Sequence, residues 1–308
     1  MLKIKIIFFF ILIFNLFNIT NAEIYIKYKV GEEIITNIDI LEEKKYLIFL
    51  RPSLKDLSKN EIEKIAENSL KKEIIKKKEI DRIFKDTNDD KLINEIKKSL
   101  FKFKNVKSNN EFVNLLKVSD IKYDKIINKM KYEGLWNELI FQKYSPMIKI
   151  NEEDLKKKLI IKTKNNKKYE YNLSELLFET NDYESLNKKY KEILEYIKTN
   201  NFKIATSRYS IANSSKVGGE IGWIKETLLS NNLNTILSKM KVNQISKPIK
   251  FPNGYLILKI NGKKEIIQKI DVNKELKDVI NYEKNKQLSQ FSLLYYKKLK
   301  SNTVINEY

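Results

Sequence analysis

Val217-Gly218-Gly219-Glu220-Ile221-Gly222-Trp223 holds three of the seven glycines in the chain. Glycine adopts positive φ and lets backbones approach closely without steric cost. The run therefore predicts a sharp bend beside packed side chains, with Ile221 and Trp223 as its buried anchors. A tight turn with no activity attached has the same signature. The flanking stretches decide between the two.

Before the run, Tyr169 to Phe178 reads as a strand that becomes almost wholly apolar toward its end. A helix over Tyr183 to Lys198 follows, and Phe202-x-Ile204-Ala205 leads into Tyr209-Ser210. After the run, the spacing predicts a helix from Leu233 through Met240, then a strand beginning Ile245-Ser246-Lys247-Pro248-Ile249. Phe251-Pro252-Asn253-Gly254 is a turn in which Asn-Gly is expected to supply two successive positive φ values. Tyr255 to Ile260 returns as the last strand. The order β-α-α-α-β-β is a small α+β domain with a mainly antiparallel sheet.

The first half is helical. Ile24, Ile26 and Tyr28 alternate in a short strand pair, and Asn37 is placed to cap a helix that Arg51-Pro52 ends. Ser58-x-x-Glu61 and Ser108-x-x-Glu111 read as capping boxes. Apolar residues recur at helical spacing from Ile121 to Tyr144, around Trp136, and Asn151 caps one more helix through Ile161. These residues form a core and carry no chemistry. Helices that make no closed bundle leave apolar grooves suited to extended or partly folded peptides. Lys164-Asn165-Asn166-Lys167-Lys168 is wholly polar and marks the boundary between the halves.

Composition narrows the chemistry. The chain of 308 residues contains no Cys and no His. Disulfides, thiolate metal sites, a Cys nucleophile and a Ser-His-Asp triad are all excluded. The net charge of +20 would suit polyanions. However, the lysines are spread over helices and loops alike, with no basic patch interleaved with aromatics, so no nucleic-acid partner is expected. No cofactor is expected either.

Met1 to Ala22 reads as an export signal: Lys3 and Lys5, an apolar run from Ile6 to Phe17, then Thr20-Asn21-Ala22 at the cut. Cleavage after Ala22 would release a periplasmic protein with no stable membrane insertion. An uncleaved anchor is the alternative.

The blocks Ser174-Glu175-Leu176-Leu177-Phe178, Phe202…Ala205…Tyr209-Ser210, Gly218-Gly219-Glu220-Ile221-Gly222-Trp223, Ile245–Ile249 and Gly254–Lys259 resemble a parvulin-type peptidyl-prolyl cis-trans isomerase (rotamase) domain. With the helical region before it and a helix from Asn273 to Lys300 after it, the whole is similar to the SurA-like periplasmic chaperones, with one parvulin domain and not two. The resemblance implies a signal peptide over 1–22, a helical N-terminal chaperone domain over 23–163, a linker over 164–168 and a parvulin-like domain over 169–262. It implies further that 263–308 packs back on the N-terminal domain, for which Leu276, Val279, Ile280, Leu288, Phe291 and Leu294 give the last helix an apolar stripe.

The family's polar cluster uses two histidines and a Cys or Asp. Carried over, those positions are Glu175, Ala212 and Leu256, so all three groups are altered. Ser210, Asn213 and Ser214 remain nearby as hydrogen-bonding groups. The proline pocket corresponds to Ile221, Leu229 and Leu233, which also read as ordinary core. A pocket without its polar cluster binds ground and transition states alike and gives no rate enhancement. The resemblance thus implies a chaperone for unfolded outer-membrane proteins, with weak or absent isomerase activity. The competing reading is a working isomerase using Glu175 and Ser210. A third, more distant, is a basic protein binding anionic lipid or polysaccharide.

Overall fold

The computed structural model describes residues 23–85, 87, 90–163, 167–180, 182–267 and 271–308. The export signal and residues 164–166 of the polar run lie outside them. Strands β1 (Ile26–Val30) and β2 (Glu33–Thr36) form an antiparallel pair. Helix α1 (Asn37–Leu50) is capped by Thr36, one residue earlier than the sequence suggests. The Thr36 hydroxyl accepts from the Asp39 amide while the Asp39 carboxylate accepts from the Thr36 amide, a reciprocal box that Asn37 would not complete.

Helix α2 (Lys59–Ile83) opens on the Ser58/Glu61 box. Helices α3 (Asp90–Lys104), α4 (Asn109–Val118), α5 (Tyr123–Tyr144) and α6 (Glu152–Thr163) follow. The second capping box is only half made: Ser108 Oγ accepts from the Glu111 amide, but the Glu111 carboxylate accepts from Lys107 N. Asn151 caps α6 through the Asp154 amide. No described helix is long and apolar enough to cross a membrane.

The second unit contains β3 (Lys167–Phe178), α7 (Tyr183–Thr199), α8 (Phe202–Tyr209), β4 (Glu220–Lys225), α9 (Asn231–Ser238), β5 (Ile249–Phe251) and β6 (Gly254–Ile267). Its four strands are antiparallel in the order β4-β3-β6-β5. The glycine run thus turns at Gly218 and Gly219 and enters an edge strand at Glu220, and the order is β-α-α-β-α-β-β, one strand more than the sequence suggested. Trp223 is not a buried anchor: it is 47% exposed. It pairs with Asn172, which on its other side pairs with Gly262. The indole reaches across to Gly262, where a Cβ would stand 3.1 Å from the ring, and Lys264 Nζ lies 4.5 Å from its centroid.

The turn before β6 also differs from expectation. Phe251 pairs with Gly254, so Pro252 and Asn253 are its central residues, and of the two Asn-Gly positions only Gly254 has positive φ. Proline fixes φ near −65°, which rules out the primed turn that Asn-Gly usually makes. Gly254 is needed for space as well, because a Cβ there would meet the Phe178 carbonyl oxygen at 2.3 Å.

Helix α10 (Val272–Ser301) and strand β7 (Ile305–Glu307) complete the chain. Strand β7 adds to the free side of β1, and the single proton of Tyr28 Oη is shared between Glu67, at 2.9 Å, and Glu307, at 3.1 Å. On α10, Ser292 accepts a 2.8 Å bond from Trp136 Nε1, Tyr295 stacks on Trp136, and Phe291 stacks on Tyr144. Leu294, assigned to the apolar stripe, is 50% exposed, whereas Ser292 and Tyr295 are buried. The helix has partners on more than one side, so its buried residues do not form a single apolar line. Its first turns are tied to the second unit: Lys225 pairs with Glu275 and Asp278, and Thr227 bonds Glu275.

The helices also meet the second unit directly through charge. Glu61 accepts from Tyr196 Oη and pairs with Arg208. Arg51 donates to Ser207 Oγ and the Ser215 carbonyl. Glu133 of α5 pairs with Lys216 and with Lys76 of α2. Burial alone would raise the Glu133 carboxyl, yet these two ammonium groups hold it down to about 2. Lys72, beside the same group, is pushed down to about 7 by burial and by the charges of Lys76 and Lys216.

Candidate functional site

Backbone geometry at the glycine run builds the site. A 3₁₀ turn over Asn213–Val217 ends at Gly218 and Gly219, with φ of 74° and 78°. A Cβ on Gly219 would stand 2.4 Å from the Glu175 carbonyl oxygen and 2.6 Å from Thr206 Cγ2. The Gly219 carbonyl accepts from Glu175 N at 2.8 Å. Glycine thus lets the turn lie directly on β3 beside Glu175. The contact brings Ser214 to that side chain, and Ser214 Oγ donates to Glu175 Oε1 at 2.8 Å.

Next to this pair is a cavity of about 440 Å³. It falls within the range of small-molecule and peptide pockets. Glu175, Ala212 and Leu256 all line it, as do Ile221, Leu229 and Leu233. Leu229 and Leu256 are buried, while Ile221 and Leu233 are half-buried against the same core. Ser210 does not belong to the lining. Its Oγ accepts from Leu177 N and from Ala212 N, which fixes the backbone turn after α8. The hydroxyl that reaches Glu175 is that of Ser214, and Asn213 lines the cavity beside it.

Burial pushes the Glu175 carboxyl up from its ordinary value, and the Ser214 bond opposes this only in part. Sequence reasoning missed the opposite wall. Tyr282, Asn285, Lys286, Ser289, Gln290 and Leu293 of α10 face the same cavity. Their spacing marks one side of a helix, but nothing local indicates what that side would face. Burial first, then the charges of Glu175 and Glu283, pushes the Tyr282 phenol up to about 12, so it remains a donor at neutral pH. Among the described residues no cluster of carboxylates is placed to hold a metal ion. The lining combines aliphatic side chains of the sheet and α9 with polar groups from the 3₁₀ turn and α10.

The glycine-pinned turn, the aliphatic wall of the cavity and the sheet as far as Gly262 of β6 fall within residues 167–262, which match the PPIC-type PPIase domain, a rotamase family. This stretch is a rotamase domain. The chain as a whole is similar to the periplasmic chaperone PpiD of Buchnera aphidicola subsp. Schizaphis graminum. The two are 29% identical over 315 residues, covering 94% of this chain and 46% of that protein. It is also similar to the chaperone SurA of Pseudomonas putida, at 25% identity over 152 residues, covering 47% of this chain and 36% of that one. The chain thus spans less than half the length of these relatives. Among solved structures, a SurA-like chaperone of Campylobacter jejuni matches with 18% identity and a TM-score of 0.37, covering 92% of this chain and 98% of that one. The α10 wall of the cavity lies outside the matched rotamase domain.

Proposed function

We propose that the protein is a periplasmic chaperone that holds unfolded or extended segments of outer-membrane proteins, and that its rotamase domain serves binding more than catalysis. The observation that carries this reading is the cavity itself. It keeps the aliphatic wall of Ile221, Leu229 and Leu233, while Ala212 and Leu256 stand at two of the three polar positions implied by the resemblance. Similarity to a periplasmic chaperone over 94% of the chain supports the location and the class of function. Rotation about an X-Pro bond faces a barrier of about 20 kcal/mol. Lowering it needs interactions stronger in the twisted state than in the planar one. Aliphatic side chains supply no such difference.

The test compares two activities of one preparation. Suppression of aggregation of an unfolded outer-membrane protein should be strong. Protease-coupled isomerisation of a proline peptide should be at least tenfold below that of active parvulins. An efficiency within about tenfold of those enzymes, on a scale where one acid-base group contributes 10²–10⁴, would overturn the reading.

A second reading rests on the Glu175–Ser214 hydrogen bond: an isomerase in which this pair serves the twisting carbonyl. Loss of about 10²-fold in rate on Glu175→Ala, with binding unchanged, would favour it.

A further inference from the structure

The rotamase cavity has two walls of different origin. One is the aliphatic wall of the domain, built from β3, β4, β6 and the segments around α9. The other is α10, which follows the domain in sequence and turns Tyr282, Asn285, Ser289 and Gln290 into the same space. Tyr282, Asn285 and Ser289 recur at three- and four-residue intervals and Gln290 adjoins Ser289, so the four share the side of a helix that meets a single neighbour.

Helix α10 is fixed in this place at both ends. Its first turns are held to β4 and the following turn by Lys225–Glu275, Lys225–Asp278 and Thr227–Glu275. Its last turns are held to α5 by Trp136–Ser292 and by the stacking of Tyr295 and Phe291. Leu293 joins the apolar core of the rotamase domain. The middle of the helix, with Asn285 and Ser289 exposed, is thus held across the cavity from the aliphatic wall. The domain's wall is mainly hydrocarbon, with Glu175, Asn213 and Ser214 among its polar groups, and the facing wall offers amides, a hydroxyl, a phenol and the Lys286 ammonium.

An extended peptide has matching needs. Its side chains seek the hydrocarbon, and its main-chain carbonyls and amides must recover the hydrogen bonds lost on leaving water. Asn285 and Gln290 each carry a donor and an acceptor, Ser289 carries both on one oxygen, and protonated Tyr282 donates. We propose that α10 is the second half of the client site. An extended, proline-bearing segment lies between the two walls, its apolar side chains against Leu229 and Leu233 and its main chain hydrogen-bonded to Tyr282, Asn285, Ser289 and Gln290. This inference rests on the binding role proposed above and adds the element that reads the peptide backbone. The isolated 167–262 stretch would lack that element, so the specificity of the site belongs to the whole chain.

The probe is a fluorescently labelled, proline-containing unfolded peptide titrated into the full chain and followed by polarisation. Asn285→Ala with Ser289→Ala changes two exposed side chains and should leave the melting temperature unchanged. It should weaken binding about tenfold, the scale of two modest hydrogen bonds. Tyr282→Phe, which removes only the hydroxyl, should weaken it about threefold on the same scale. Leu233→Asp should abolish binding. A photo-crosslinker at position 285 should capture the peptide, and one at the exposed Lys284, a third of a turn away, should not.

Unchanged affinity in the α10 variants, together with loss in Leu233→Asp, would overturn the role of α10 and leave the binding function standing. Unchanged affinity in a folded Leu233→Asp protein would overturn both.

Discussion

Trp136 Nε1 donates a 2.8 Å hydrogen bond to Ser292 Oγ, with both residues buried, and so joins α5 to α10 across 156 positions of sequence. Removing the acceptor leaves a buried N–H without a partner, which costs about 1–3 kcal/mol. Ser292→Ala should therefore lower stability by that amount in urea denaturation. Ser292→Thr, which keeps the hydroxyl, should recover most of it.

Glu175 is destabilised by its own charge. Burial raises its pKa in the folded protein above the ordinary carboxylate value. Above pH ~4.5 the folded protein then binds more protons at this site than the unfolded chain does. Stability contributed by the proton is present at low pH and is lost as pH rises through the raised pKa. Glu175→Gln keeps an acceptor for Ser214 without the charge. It should stabilise the protein at pH 7 and have almost no effect near pH 4, as read by denaturation at the two pH values.

Glycines 219 and 222 have nearly equal φ, 78° and 79°, but different surroundings. A Cβ at Gly219 would collide with backbone, whereas a Cβ at Gly222 would have nothing within 4 Å. Gly222→Ala should cost only the left-handed conformation, about 1–2 kcal/mol. Gly219→Ala should cost considerably more and separate Ser214 from Glu175. Thermal melts of the two variants, with peptide binding measured on each, would show the ordering.

Much of this was legible before the structure. The strand from Tyr169 and the Ser58/Glu61 cap announce themselves in patterns a few residues long. The wall positions Ile221, Leu229 and Leu233 came from the resemblance, through the glycine blocks that carry it. What was not legible depends on distant partners. Gly218 and Gly219 form the bend that the run predicts, but Glu220 to Trp223 does not read as a strand because glycine is rare in strands, and only the pairing of β4 with β3 makes it one. Ser214 reaches Glu175 because Gly219 lets the turn lie against β3, whereas Ser210 is spent on two backbone amides. Tyr282 and Asn285 look like any helix surface until the rotamase domain is set opposite them.

The lysines around Glu133 give the protein a second pH dependence. Lys72 is held down to about 7 and Lys76 to about 8, each chiefly by burial. The unfolded chain keeps both protons up to its ordinary lysine value of 10.5, so between pH ~7 and ~9 it binds more protons than the folded protein. Stability should rise with pH across that window. Lys72→Met should flatten the rise and raise the melting temperature at pH 6, which calorimetry at several pH values would measure.

Strand β7 lies beside β1, so the sheet that opens the chain is finished by residues near position 305. Synthesis runs from the amino end at roughly 5–20 residues per second, and units fold as they emerge. Residues 167–267 contain every strand of their own sheet and can close as soon as they appear. The strand at Ile26–Val30 has to wait for Ile305–Glu307 on its open edge. Until then it is an exposed β-edge flanked by Ile24, Tyr25 and Ile34. For that interval the nascent protein is itself an incomplete fold of the kind proposed here as its client.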